Sequence, residues 1–151
     1  MIYLASDHAG FELKQKILEH LRKADRQAED CGPFEFKADD DYPDFVYPCA
    51  VKVAAADGSR GIIIGGSGQG EAMVANKVRG VRAVVYQGGD LEIIRLARRH
   101  NDANVLSLGA RFLNAGQAIA AIDEWLKTDF EGGRHQRRLD KIKQIEEENF
   151  K

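Results

Sequence analysis

The sequence predicts an α/β protein built on a mostly parallel sheet, on three observations. Short apolar runs recur at residues 2–5, 62–64, 81–86 and 105–108, longer amphipathic stretches separate them, and no repeat or Pro/Ser-rich linker interrupts the alternation. With 151 residues, 44% of them hydrophobic, the chain can bury one real core, so a single domain over residues 1–151 is expected.

Residues 2–5 form the first expected strand. Phe11, Ile17, Leu18 and Leu21 mark one face of the helix that follows. Residues 27–30 are a weaker strand candidate, closed by the turn-like Cys31-Gly32-Pro33, and a second helix is expected from about residue 43 to 56. Residues 62–64 enter a glycine loop and then a helix over 68–78. The strand at 81–86 precedes a helix over 91–99 with Ile94, Leu96 and Ala97 among its apolar positions. After the strand at 105–108, Ala115, Ala118, Ile119, Ile122, Trp125 and Leu126 repeat at the spacing of a helix packed on a sheet. Residues 136–150 are rich in charge but keep Leu139, Ile142 and Ile145 on one stripe, which predicts a C-terminal helix docked through a narrow face.

The formal charge is −2, from 22 basic and 24 acidic residues, so no net positive field exists to hold nucleic acid or an anionic membrane. Anionic ligands must be held by local groups. The apolar start, about five residues before Asp7, is too short for a signal-peptide core or a membrane span, and a cytoplasmic protein is expected. Cys31 and Cys49 match neither a zinc nor a redox spacing and are expected to be reduced.

Four constellations can carry chemistry. In Gly65-Gly66-Ser67-Gly68-Gln69-Gly70-Glu71, glycines let backbone N–H groups converge where a helix N-terminus adds partial positive charge, which suits a phosphate or a developing enolate oxygen. Glycines also serve tight turns that bind nothing. The loop is not a P-loop, and its GxGxG spacing departs from the GxGxxG of dinucleotide sites. Ser6-Asp7-His8-Ala9-Gly10 ends the first strand, where open α/β sheets bind ligands, although Ser6 or Asp7 could only cap a helix. If the first and third strands are neighbours, as in a flavodoxin-like order, these two segments face one crevice. His100, in the polar cluster 98–104 just before a strand, offers an imidazole, a group able to move protons, or is merely solvated. Arg134 and Arg138 stand four apart, on one face if a helix has begun, and suit a phosphate. Positive charge is slightly unfavourable at a helix start, which tilts the reading towards function.

Taken together, Asp7-His8-Ala9-Gly10, Asp41-Tyr42-Pro43, Gly66-Ser67-Gly68-x-Gly70, Ala75-Asn76-Lys77, Arg99-His100-Asn101-Asp102, Gly109-Ala110-Arg111 and Gly132-Gly133-Arg134-His135 resemble the ribose-5-phosphate isomerase B family, which also includes galactose-6-phosphate and allose-phosphate isomerases. The resemblance spans the chain. It implies a Rossmann-like three-layer sandwich with a five-stranded, mostly parallel sheet and a C-terminal helix. It also implies a sugar-phosphate substrate, no metal or organic cofactor, and a homodimer or homotetramer whose sites are shared between subunits. Carried over residue by residue, His8, Arg134 and Arg138, with Arg111, would hold the phosphate. His100, helped by Asp7, would open the furanose ring, Asn101 would bind sugar hydroxyls, and Tyr42 would line the pocket. Backbone N–H groups from Gly66, Gly68 and Gly70, with Ser67, would stabilise the enediolate oxygen. Many bacterial members carry a cysteine base where this sequence has Gly65. The resemblance to a second branch, with glycine there and a glutamate after the loop, implies Glu71 as the base that moves a proton between C2 and C1. A helix N-terminus lowers a carboxyl pKa, so Glu71 would need burial to restore its basicity. The loops 34–40 and 87–90 match no family motif and could shape specificity.

Overall fold

In a computed structural model describing residues 1–150, the chain alternates strand and helix until its last two helices. The elements are β1 (Ile2–Ser6), α1 (Phe11–Lys23), β2 (Ala28–Asp30), α2 (Pro43–Ala55), β3 (Arg60–Gly65), α3 (Gln69–Ala75), β4 (Ala83–Tyr86), α4 (Glu92–Asn101), β5 (Val105–Gly109), α5 (Ala115–Lys127) and α6 (Arg134–Asn149). The five strands form one sheet in the order β2-β1-β3-β5-β4, and every pairing is parallel. The sheet is thus wholly parallel where the sequence predicts a mostly parallel one.

Alternation along the central strands explains the three layers. Leu4, Ile62, Ile64, Leu106 and Leu108 face the apolar stripes of α1, α4 and α5, while Ala5, Ile63 and Val105 face α2 and α3. β1 and β3 are neighbours, as the crevice requires. A flavodoxin-like order is not kept beyond them, because β5 lies between β3 and β4. Burial accounts for this: every residue of β5 is buried, whereas β4 is half-buried along most of its length and suits the edge.

Two helices differ from the sequence expectation in ways that matter for function. α4 runs on through His100 and Asn101 and stops at Asp102, whose backbone is left-handed with φ 45°, so His100 stands in a helical last turn and not in a loop. α3 ends at Ala75, short of residue 78, because the Asn76 side chain bonds the backbone of Ala83 in both directions. In α6, His135 and Leu139 are buried, but Ile142 and Ile145 remain exposed, so only the first part of the predicted stripe is docked within this chain.

Lys14 of α1 is fully buried. Its ammonium donates to Asp30 Oδ1 at 2.7 Å and to the Pro33 carbonyl at 2.5 Å, and the same Asp30 oxygen accepts from the Gly32 N–H at 2.8 Å. This knot ties the loop after β2 to the helix layer. Among the described residues, no helix is long and apolar enough to cross a membrane.

Candidate active site

The C-terminal ends of β1, β3 and β5 open onto a single crevice. Asp7 and His8 follow β1, the glycine loop follows β3, and Arg111 follows β5. The loop is held from both sides: Arg111 N–H donates to the Gly66 carbonyl at 3.1 Å, Ser107 Oγ donates to the Gly68 carbonyl at 2.6 Å, and Gln87 Nε2 donates to the Ser67 carbonyl at 2.9 Å. Gly68 adopts φ 81°, which lets the chain turn directly from strand into helix. Ser67 Oγ accepts from the Gln69 N–H at 3.2 Å, which leaves its proton free to donate.

Glu71 lies in the first turn of α3, only 4% exposed. Its carboxylate fills the space beside Gly65 where any side chain at that position would begin, so a Cβ there would fall on the acid. Burial pushes the Glu71 pKa above the ordinary carboxylate range, and the negative charge of Asp7 adds to this. The backbone N–H groups of Glu71 and Gly68 pull in the opposite direction without prevailing. Burial therefore restores the basicity that the helix N-terminus would remove.

Around this acid, Tyr42 brings its ring against Gly70, and the Arg111 guanidinium lies over Gly66. The buried Asp7 accepts from the Gly10 N–H at 3.2 Å. His8 is held by Asp40, a residue the sequence reading passed over: one Asp40 oxygen accepts from the His8 backbone N–H at 2.9 Å and pairs with His8 Nδ1 at 2.7 Å. That contact raises the His8 pKa, burial opposes it, Asp7 supports it and Arg111 opposes it. Asp7, His8, Tyr42, Gly66, Ser67, Gly68, Gly70, Glu71 and Arg111 thus meet at one end of the sheet.

His100, Asn101, Arg134 and Arg138 do not join them. The Asn101 carbonyl accepts from Arg82 Nε at the start of β4. Asn104, which leads into β5, passes its carbonyl to Gly61 at the start of β3. In the β3–β5 register Gly61 pairs with Val105 and Gly65 with Gly109, a separation of about 13 Å along the strands. α4, with its ten residues, carries His100 back over roughly 15 Å from the crevice end to the opposite edge. There His100 stacks on His135, with ring centroids 4.1 Å apart and planes 13° from parallel. The Glu131 N–H bonds the Arg99 carbonyl, which seats the start of α6 beside them. Arg134 and Arg138 are exposed on that first stretch of α6 and, among the described residues, have no ion-pair partner.

Among the described residues, two groups offer enough donors for a metal ion by count: Asp7, His8 and Asp40 at the crevice, and His100, Glu131 and His135 at the far edge. In the first, His8 Nδ1 is already committed to Asp40. In the second, the two rings are stacked nearly parallel, and the Glu131 carboxylate lies 3.6 Å from His135 Nε2. His135 is 5% exposed, and burial, with His100 beside it, lowers its pKa.

Residues 2–142 match the family described as ribose/galactose isomerase. The chain belongs to that family. A probable ribose-5-phosphate isomerase B of Mycoplasma genitalium is 47% identical over 148 residues, 97% of this chain and 96% of the relative. Ribose-5-phosphate isomerase B of Mycobacterium leprae is 42% identical over 96% of this chain and 89% of its own length. The crystal structure of the Mycoplasma genitalium isomerase with bound ribulose 5-phosphate superposes with a TM-score of 0.93 over 98% of this chain and 97% of that one. That of Clostridium thermocellum, 42% identical, gives 0.89 over 97% of each chain.

Proposed function

We propose that this isomerase domain interconverts ribose 5-phosphate and ribulose 5-phosphate through a cis-enediolate, with Glu71 as the base. The observation that carries this reading is the Glu71 carboxylate itself: buried, set in the space that Gly65 leaves open, and raised in pKa. A carboxylate desolvated in this way takes a proton from carbon more readily than a solvated one, and it keeps that proton until the neighbouring carbon accepts it. The C2 proton passes to Glu71 as electron density moves to O1, a proton shifts from the C2 hydroxyl to O1, and the same carboxylic acid returns its proton to C1 on the same face as the C2–O bond becomes the ketone carbonyl. N–H groups of Gly66, Gly68 and Gly70, with the Ser67 hydroxyl, stabilise the oxyanion. His8 and Arg111 supply positive charge for the phosphate.

Ring opening needs a proton donor and acceptor, and His100 is too far from Glu71 within one chain to serve. We read the working enzyme as a homodimer or homotetramer in which His100, Asn101, Arg134 and Arg138 of one copy complete the crevice of another. His100 opens the furanose, Asp7 assists, Asn101 holds hydroxyls, and the two arginines grip the phosphate. Tyr42 closes the wall beside Gly70. No step draws on a metal or organic cofactor, and the two free cysteines suit a cytoplasmic setting. A hexose 6-phosphate would use the same base and differ only in the loops that contact the extra carbon.

The test is conversion of ribose 5-phosphate in the presence of chelator, with allose 6-phosphate and galactose 6-phosphate run in parallel, for the wild type and Glu71→Gln. The expected result is pentose turnover that the variant loses by about a thousandfold while retaining affinity for the sugar phosphate. Full activity in Glu71→Gln would remove Glu71 from the mechanism, and preference for a hexose would reassign the substrate while keeping the chemistry.

A further inference from the structure

We propose that Asp40 is a positioning residue for phosphate binding, fixing His8 with Nδ1–H turned to the protein and Nε2–H turned to the ligand. The inference rests on the reading above that His8 is a phosphate ligand.

Asp40 ends the loop 34–40, the part of the sequence with no periodicity, and it meets His8 across 32 positions of sequence. Its side chain is only 6% exposed, against 30% for His8. Both of the His8 contacts fall on Oδ1, while Oδ2 is buried without a hydrogen-bond partner. A carboxylate desolvated on one oxygen and bonded through the other to a single imidazole is held in place by that imidazole, and the low-dielectric surroundings strengthen the attraction. The backbone N–H contact adds a second anchor, so the His8 main chain and ring are fixed by the same oxygen atom.

Geometry then decides the tautomer. An ionised carboxylate only accepts, so the nitrogen 2.7 Å away must be the donor, and Nδ1 carries a proton whether or not the ring is charged. Nε2 is left for the crevice. When the ring takes its second proton there, it presents an N⁺–H to a phosphate oxygen, a shorter and stronger contact than a neutral imidazole makes. The groups facing His8 are Asp40 from the loop, Asp7 at the end of β1, Arg111 beyond β5, and Phe11, Glu12 and Phe36 around the adjoining cleft. Phe36 meets the His8 ring edge-on at 6.4 Å and brings no charge. Asp7 and Asp40 favour the imidazolium, and Arg111 opposes it. Of the two acids only Asp40 touches the ring through a hydrogen bond, so Asp40 sets the direction of His8 and does most to favour its charged form.

The test is Asp40→Asn, which keeps the shape and an acceptor but removes the charge, with Asp40→Glu as the conservative variant and His8→Asn as a reference. Steady-state kinetics with ribose 5-phosphate are measured from pH 5.5 to 9, and the His8 ring nitrogens are followed by NMR titration of the free enzyme. The expected result for Asp40→Asn is a rise in KM of about tenfold or more, a much smaller change in kcat, and a His8 titration displaced to lower pH. Affinity should then be lost at a lower pH than in the wild type, with Asp40→Glu recovering part of the difference. Titration of the substrate phosphate is common to all variants and cancels in the comparison. A raised KM in His8→Asn with unchanged KM and His8 titration in Asp40→Asn overturns the role of Asp40 and leaves the reading of His8 standing. An unchanged KM in His8→Asn overturns both. A merely structural Asp40 would lower the melting temperature without moving the His8 titration, and that outcome also counts against the proposal.

Discussion

Gly65→Ala is the smallest change that tests the placement of the base. The added methyl would lie 2.7 Å from Glu71 Oε2, with Cδ and Oε1 closer still. Carbon and oxygen rest at about 3.5 Å, so the carboxylate has to retreat by about 1 Å or more, or leave its rotamer at a cost of roughly 0.5–1.5 kcal/mol. Gly65 does not have a positive φ, so alanine adds no backbone strain and the collision is the whole effect. A misplacement of about 1 Å at a reacting group costs on the order of a hundredfold in rate. Overpacking a filled site costs about 1–3 kcal/mol, or roughly 3–10 °C in Tm for a chain of this size. Turnover of ribose 5-phosphate should therefore fall about a hundredfold, with KM little changed. Thermal denaturation of Gly65→Ala in the wild-type and Glu71→Ala backgrounds completes the cycle: without the carboxylate, the methyl should cost less than about 0.5 kcal/mol. Wild-type turnover and Tm in Gly65→Ala, or the same loss in both backgrounds, would refute the shared space of position 65 and the acid.

Burial of Glu71 also makes a stability prediction. Its folded-state pKa lies above the unfolded one, so its protonated form favours the fold at low pH, and that contribution is lost as pH rises through the raised value. Glu71→Gln, always neutral, should melt above the wild type at pH 7, with the gap closing below the ordinary carboxylate range; calorimetry across pH checks this. Lys14→Met leaves Asp30 and the Pro33 carbonyl without their buried cation and should cost about 3–5 kcal/mol by denaturant titration, whereas an exposed lysine would cost little. Mixing inactive Glu71→Gln with inactive Arg138→Ala should restore activity in mixed dimers, and mixed dimers that stay inactive would mean that each site lies within one chain.

The sheet was legible because β1, β3 and β5 are short, mainly apolar runs, a pattern that burial on both faces requires. The position of β5 between β3 and β4 was not, since periodicity reports which faces are buried and not which strands are neighbours. The expected helix stopped at Arg99, two residues short of the end of α4, because His100 to Asp102 looks like a solvated polar loop. In the structure Arg98 is buried, bonded to Asp102 and to the Ala103 and Thr128 carbonyls, and it carries the helix through residues of low intrinsic preference. Asp40 was hidden for a related reason. In an Asp39-Asp40-Asp41 run each acid reads as solvated, and only a contact between distant segments selects the middle one. Glu71 was singled out as a candidate through family resemblance, while the space it occupies, the empty place at Gly65, is visible only in three dimensions. On α6, the exposed Ile142 and Ile145 fit a stripe that the sequence reveals without saying what covers it.

The buried Lys14 knot has a consequence for how the site meets its ligand. By fastening Asp30, Gly32 and Pro33 to α1, it anchors the loop that leads to Asp40 and Tyr42 at the point where it leaves the sheet, and the Asp40–His8 contact anchors the other end. A wall secured at both ends is ordered when the chain folds, so little conformational entropy remains to be lost when a sugar phosphate arrives. At these two anchored ends the crevice wall is shaped before the ligand arrives, and the ligand meets His8 and Tyr42 on a backbone already tied to the sheet.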